Sequence, residues 1–230
     1  MSKVAPTVVK CPRCGHNQSA RLFDSLNADR IPAQVEMILA GRFERVECAG
    51  CGHAWQPEHT MLFAHFTRRT WIAMHPIADR PHFTVLERGV ELVLEQNFRS
   101  APPIVAEGVR GIRPRLVFGH HMLAEAVRMS ASSIDPSLAE CAKLLYLRRH
   151  LAEVMRFGPC ELAFERFGPG GELICGVHAL PGGARLDELV LPADAIAETR
   201  ASVDALERQF PDLFRGPYVS ATRYLYGAAI

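Results

Sequence analysis

The sequence predicts an α+β fold: a pair of cysteine knuckles on antiparallel β-structure, with flanking helices and a small C-terminal hairpin-plus-helix part. Three observations predict it. Two copies of Cys-x-x-Cys-Gly-His stand 37 residues apart near the N-terminus. Two β-rich runs follow at hairpin spacing. Beyond them, apolar residues recur at helical spacing around 121–156 and 193–210.

The elements follow in order. Phe23 to Asn27 reads as a strand or a turn. Asp29-Arg30-Ile31-Pro32 opens a short helix through about Ala40, with Val35, Ile38 and Leu39 on its apolar face and Gly41 as the C-cap. Phe43 to Glu47 alternates apolar and charged, as a strand does. Met61–Phe66 and Thr70–His75 form a hairpin about Thr67-Arg68-Arg69. Phe83–Leu86 and Val90–Leu94 are expected as further strands, and Ser100-Ala101-Pro102-Pro103 breaks the pattern. Arg115–Phe118 is a strand that Gly119 leads into a helix over His121–Met129.

Asp135-Pro136-Ser137 starts the next helix. The carboxylate caps free N–H groups and the proline suits the first turn. Its apolar positions run to about Arg156, where Gly158-Pro159 ends it. Glu161–Phe167 and Glu172–Leu180 flank Gly168-Pro169-Gly170-Gly171, a hairpin turn. Leu189–Leu191 is a third short strand. Ala193–Phe210 reads as one amphipathic helix, and Pro217–Tyr226 fits helix or strand. The expected division is residues 1–155 for a metal-binding domain and 156–230 for a C-terminal β-hairpin and amphipathic-helix subdomain.

The chain has 230 residues, enough to bury a core without disulfides. Lys and Arg number 26 and Asp and Glu 25, a net charge of +1. That balance excludes a strongly basic nucleic-acid coat and a polybasic membrane anchor, and leaves a local basic patch open. No run approaches the roughly 18 apolar residues of a spanning helix. Met1 to Pro6 lacks the apolar stretch of a secretory signal. A cytoplasmic location is expected, and the seven cysteines are not expected to form a disulfide framework there.

The informative residues are Cys11, Cys14, Cys48 and Cys51. A two-residue spacer lets both thiolates of a pair reach one ion from a single tight turn, and the glycine after each pair lets the backbone fold back. Four sulfurs make a closed, structural site with no open position for substrate. One structural zinc is the expected cofactor. Iron competes for a four-sulfur site, and a redox dithiol competes for a single pair, although two matched pairs favour a metal. His16 and His53 lie two residues past each pair, where they could substitute as ligands or simply pack beside the turn. Lys10, Arg13 and Arg45 can offset the thiolate charge.

No catalytic residue is assigned. Cys141, Cys160 and Cys175 fall on apolar faces. His120-His121 stands at a helix start. Asp135, Glu140 and Lys143 read as a cap followed by a surface i,i+3 pattern. No phosphate loop, triad or carboxylate pair supports a reaction, and a second metal near His120-His121 would be needed to revive an enzyme on the 60–150 platform.

The chain resembles the bacterial CpXC family. The match is carried by Cys11-Pro12-Arg13-Cys14-Gly15-His16, by Asp24–Asp29, by Cys48-Ala49-Gly50-Cys51-Gly52-His53, and by the hairpin Met61–Phe66 to Trp71–Pro76. It continues through Arg115-Leu116-Val117, Leu123–Val127, Ile134-Asp135, Glu140 and Lys143, so it spans about residues 8–150. Ala49 stands where the family prefers proline, which loosens the turn and leaves all four sulfurs. The resemblance implies a zinc-ribbon-like module and supplies no reaction. The expected function is a protein-interaction or adaptor module with a protein partner. The alternative is nucleic-acid binding through Arg68, Arg69, Arg110, Arg113 and Arg115. No membrane partner is expected.

Overall fold

A computed structural model of the protein describes residues 2–99, 107, 109–132 and 134–225. The architecture is α+β. The main sheet has the order β1-β2-β5-β6-β7, built from β1 (Lys3–Lys10), β2 (Asn17–Asn27), β5 (Met61–His65), β6 (Thr70–His75) and β7 (Pro114–Phe118). Two strands outside it, β3 (Val46–Glu47) and β4 (Ala54–Trp55), pair only with each other. β5–β6 is the expected antiparallel hairpin and β1–β2 is antiparallel too, while β2–β5 and β6–β7 run parallel. The parallel joins arise because α1 (Pro32–Leu39) and α2 (Phe83–Arg99) lie in the connections.

The sheet centre is covered on both faces, so its strands are apolar at nearly every position. Alternation sorts the side chains. Met61, Phe63, Ile72, Met74 and Val117 join a core with α1 and with α3 (Gly119–Ala131). Trp71, Ala73, Leu116 and Phe118 join one with Leu86, Val90 and Leu94 of α2 and with Tyr218. A second sheet, order β10-β9-β8, comprises β8 (Cys160–Phe167), β9 (Leu173–Ala179) and β10 (Arg185–Leu191). It packs on α4 (Pro136–Arg149) through Leu162, Phe164, Cys175 and Val177. The Asp135 cap forms as expected, its carboxylate accepting from the Ser137 N–H at 2.7 Å.

Several elements differ from expectation. Phe83–Leu86 and Val90–Leu94 are parts of the single helix α2, not strands. Its inner residues keep the 3–4 spacing, but Val85 and Leu92 lie exposed on the outer face and blur the period. β1 carries almost no buried residue, so it shows no alternation, and pairing with β2 is what makes it a strand. Pro6 is tolerated there because β1 is an edge.

Only Val46–Glu47 of the expected 43–47 strand is one. α1 ends in a Schellman turn at Gly41, with Arg42 N–H on the Met37 carbonyl at 2.9 Å. Glu44 follows with φ 54° and a buried carboxylate facing His59 at 2.7 Å. α4 stops at Arg149, and a single turn over Leu151–Val154 replaces the expected extension. The 193–210 helix breaks at Ser202 into α5 (Ala193–Ala201) and α6 (Val203–Gln209). Pro217 onward lies along β7, with the Leu116 N–H on the Pro217 carbonyl at 2.9 Å, before one turn over Thr222–Leu225. The Ser100–Pro103 break and Tyr226 lie outside the described residues. No helix among the described residues is long and apolar enough to cross a membrane.

Candidate metal centre

The two Cys-x-x-Cys-Gly-His segments adopt the same turn. In the first, at the tip of β1–β2, the Gly15 N–H donates to the Cys11 carbonyl and the Cys11 N–H to the His16 carbonyl, both at 2.9 Å. In the second, at the tip of β3–β4, the Gly52 N–H donates to the Cys48 carbonyl and the Cys48 N–H to the His53 carbonyl, both at 2.8 Å. Gly15 and Gly52 take φ of 74° and 68°, a left-handed conformation that requires glycine at this place in each motif.

The matched turns aim their sulfurs at one point. The Sγ atoms of Cys11, Cys14, Cys48 and Cys51 all lie within 4.8 Å of one another. Cys11 and Cys51 are 3.8 Å apart and Cys14 and Cys48 3.5 Å. A tetrahedral ion with Zn–S bonds of about 2.3 Å sets its sulfurs about 3.8 Å apart, so the donor set fits a metal ion. None of the four is in a disulfide. Cys11 and Cys48 are buried while Cys14 and Cys51 face solvent, so the centre lies at the surface of the knuckle pair.

Local donors favour thiolates. The Gly50 N–H reaches the Cys48 sulfur at 3.3 Å. At Cys11 burial opposes ionisation, but N–H groups of Cys14 and Arg13 and the neighbouring thiols outweigh it and bring the thiol down to about 7. At Cys14 the His16 N–H favours the thiolate, but hydrogen bonds with Cys51 and Cys48 push the group up to about 12. A bound cation would remove that mutual penalty.

His16 and His53 are outside the sulfur group. His16 packs over the second knuckle, where a Cβ on Gly50 would come 3.3 Å from its ring. His53 stacks on Trp55, ring centroids 6.2 Å apart. Sequence reasoning missed Gln18. Its Nε2 donates to the Glu47 carbonyl and its Oε1 accepts from the Ala49 N–H, both at 2.8 Å, so one side chain on β2 clamps the second knuckle to the first. Supporting hydrogen bonds of this kind are worth about 10–100-fold in metal affinity. Gln18→Ala should therefore weaken metal retention by about that factor, read in competition against a chromophoric chelator. Wild-type retention would show that the knuckles dock without the clamp.

The other candidates separate. Cys141, Cys160 and Cys175 are buried. Burial, with the nearby acidic groups, pushes the Cys141 thiol up to about 12, and burial does the same at Cys175 against the pull of Lys143. Glu140 and Lys143 are not a surface pair: both are buried, Lys143 completely. The Lys143 ammonium donates to Glu125 at 2.5 Å, to Glu140, and to the Leu162 carbonyl at 2.9 Å.

His120 and His121 line a cavity of about 750 Å³ between the second knuckle, α3 and the second sheet. His120 Nε2 contacts the Pro57 carbonyl at 3.0 Å, and His121 Nε2 contacts the buried Glu161 at 2.6 Å, where Arg80 joins at 2.5 Å. Burial raises Glu161, but the His121 and Arg80 charges dominate and hold it down at about 2. Among the described residues the four cysteines are the only group of three or more His, Cys, Asp or Glu side chains placed to share a metal. Arg68, Arg69, Arg113 and Arg115 line one cavity of about 320 Å³, and Arg110 is not among its walls.

A family model described as CpXC protein matches residues 9–143. No curated protein and no solved structure matches the chain.

Proposed function

The chain belongs to the CpXC protein family, and on that premise we propose that it is a cytoplasmic protein-interaction module built around one structural zinc ion. Cys11, Cys14, Cys48 and Cys51 hold the ion. The observation that carries this assignment is the convergence of two identical turns on four sulfurs within 4.8 Å. Four thiolates fill a tetrahedron, which leaves no position for substrate or a reacting water. The ion instead ties the β1–β2 tip to the β3–β4 turn. Strand β1 is the edge of the main sheet, and Val8 on it is 75% exposed. A stiffened edge strand with free backbone groups is suited to pair with an extended segment of a partner protein.

Native mass spectrometry with metal analysis tests the centre. About one zinc per chain is expected. Cys11→Ser or Cys48→Ser should release it, and His16→Ala or His53→Ala should not. A folded, metal-free protein with four freely alkylated thiols would overturn the assignment. The alternative reading is nucleic-acid binding, with the arginines around one cavity as its candidate contacts. It calls for a steep loss of affinity with salt.

A further inference from the structure

The 320 Å³ cavity opens at the end of the main sheet remote from the cysteines, between the β5–β6 turn, the start of β7 and the C-terminal turn of α3. Four arginines, Arg68, Arg69, Arg113 and Arg115, are among its lining residues. Among the described residues none of the four forms an ion pair with a carboxylate. The held contacts are to neutral carbonyls: Arg113 donates to Phe214, and Arg115 to Val219 at 3.4 Å. Arg115 also lies in the field of Glu140, Glu125 and Asp135, which offsets part of its charge, so Arg68, Arg69 and Arg113 carry the positive face of the cavity. The Arg115 Nε is buried and has no partner. The carboxylate of the lining, Asp135, accepts from the Ser137 and Leu138 N–H groups as the α4 cap and also acts on Arg115.

We propose that this cavity binds the phosphate group of a small phosphorylated molecule. Planar guanidinium forks match phosphate oxygens in pairs, and arginines gathered around one concavity suit a dianionic monoester. The volume exceeds what a bare phosphate needs and sits at the small end of the ligand-pocket range of about 300–1,000 Å³. Ile72, Ala126 and Met129, on the α3 side of the sheet, supply apolar wall for the organic part. A nucleic-acid backbone fits less well. It calls for cations strung along a surface, whereas these share one cavity, and Arg110 lies outside. The Ser130 and Ser132 hydroxyls donate to the Val127 and Met129 carbonyls, which leaves the arginines as the principal donors.

Calorimetry on the zinc-loaded full chain tests this, with inorganic phosphate and phenyl phosphate as probes in about 0.15 M chloride. Saturable binding at one site per chain is expected, phenyl phosphate binding the tighter and displacing phosphate. Arg68, Arg69 and Arg113 are exposed, so the double variant Arg68→Gln/Arg69→Gln and the single Arg113→Gln should keep the fold and the zinc while losing about ten-fold or more in affinity. Absence of saturable binding overturns the proposal, as does binding unchanged in both variants. A short oligonucleotide without terminal phosphates that binds more tightly than phenyl phosphate, and weakens in the same variants, would reassign the cavity to nucleic acid. None of these outcomes depends on which metal the cysteines hold.

Discussion

Replacing Lys143 with Met lowers the unfolding free energy by about 3–5 kcal/mol. The ammonium is fully buried, and all three of its protons are committed, to Glu125, Glu140 and the Leu162 carbonyl. The two carboxylates do further work. Glu125 accepts from the Phe164 N–H at 2.5 Å, and Glu140 from the Ala221 N–H at 2.7 Å, so the cluster joins α3, α4, β8 and the C-terminal segment. Methionine fills the volume but leaves two buried carboxylates facing each other without a cation. Burial lowers Lys143, but the Glu125 and Glu140 charges outweigh it and raise the group above the ordinary lysine range.

Glu140 carries a pH signature. Burial raises it, Lys143 opposes, Glu125 adds to the rise, and the result is about 7 against an ordinary 4.5. The native state thus holds a proton that the unfolded chain releases. Its contribution to stability is fully present below about 4.5 and is lost as pH rises through about 7. Glu140→Gln should flatten that component between about pH 5 and pH 8 while leaving the Lys143–Glu125 pair intact. Denaturant titrations at several pH values measure both effects. A Lys143→Met loss under about 1 kcal/mol would show that water or rearrangement compensates the carboxylates.

Strong chelation should melt the knuckles and leave the rest folded. β2 meets β5 only over Ser25–Asn27, so the far half of the β1–β2 hairpin receives no support from the main sheet. β3–β4 is two residues per strand and pairs with nothing else. Metal binding in such segments is folding energy, on the order of 10 kcal/mol for small zinc modules. Hydrogen exchange with and without chelator should show protection collapsing across Val8–Leu22 and Val46–Trp55. It should persist in α4 and in β8–β9, which pack on the core of Leu162, Phe164 and Val177. Uniform loss would mean that the ion holds the whole chain together.

The cysteine centre was legible because its evidence is local. Each Cys-x-x-Cys-Gly-His is a complete turn, and the glycine that permits the backbone sits inside the motif. The β5–β6 hairpin and the Asp135 cap were legible for the same reason. Elements that depend on distant partners were not. β1 has no apolar stripe of its own and is a strand only because β2 lies beside it. Glu140 and Lys143 have the i,i+3 spacing of any solvated helix pair, and only Glu125 from the preceding helix and the Ala221 N–H from the far end of the chain turn them inward. Gln18 gives no sign of its role until the second knuckle is placed against it. The arginines were legible as a group in the sequence, but only the fold shows that Arg68, Arg69, Arg113 and Arg115 share one cavity and that Arg110 is not among its walls.

The segment beginning at Pro217 has a consequence for how copies of the chain meet one another. A main sheet has two rims where backbone groups stand unmatched. At the β1 rim, Lys3, Pro6 and Lys10 discourage another strand from docking indiscriminately. At the β7 rim Pro114 and Arg115 stand only at the start, and the run Leu116-Val117-Phe118 that follows is uncharged and buried. The chain's own tail occupies that rim instead, with Pro217 on Leu116, Val219 on Arg115, and Tyr218 anchored to Glu87 at 2.9 Å. Peeling it away would uncover an aliphatic-aromatic strand of the kind that recruits its own copies into aggregates. Loosening this segment is therefore expected to lower colloidal solubility, and its grip on the rim passes through Glu140, the same residue that shares the buried lysine.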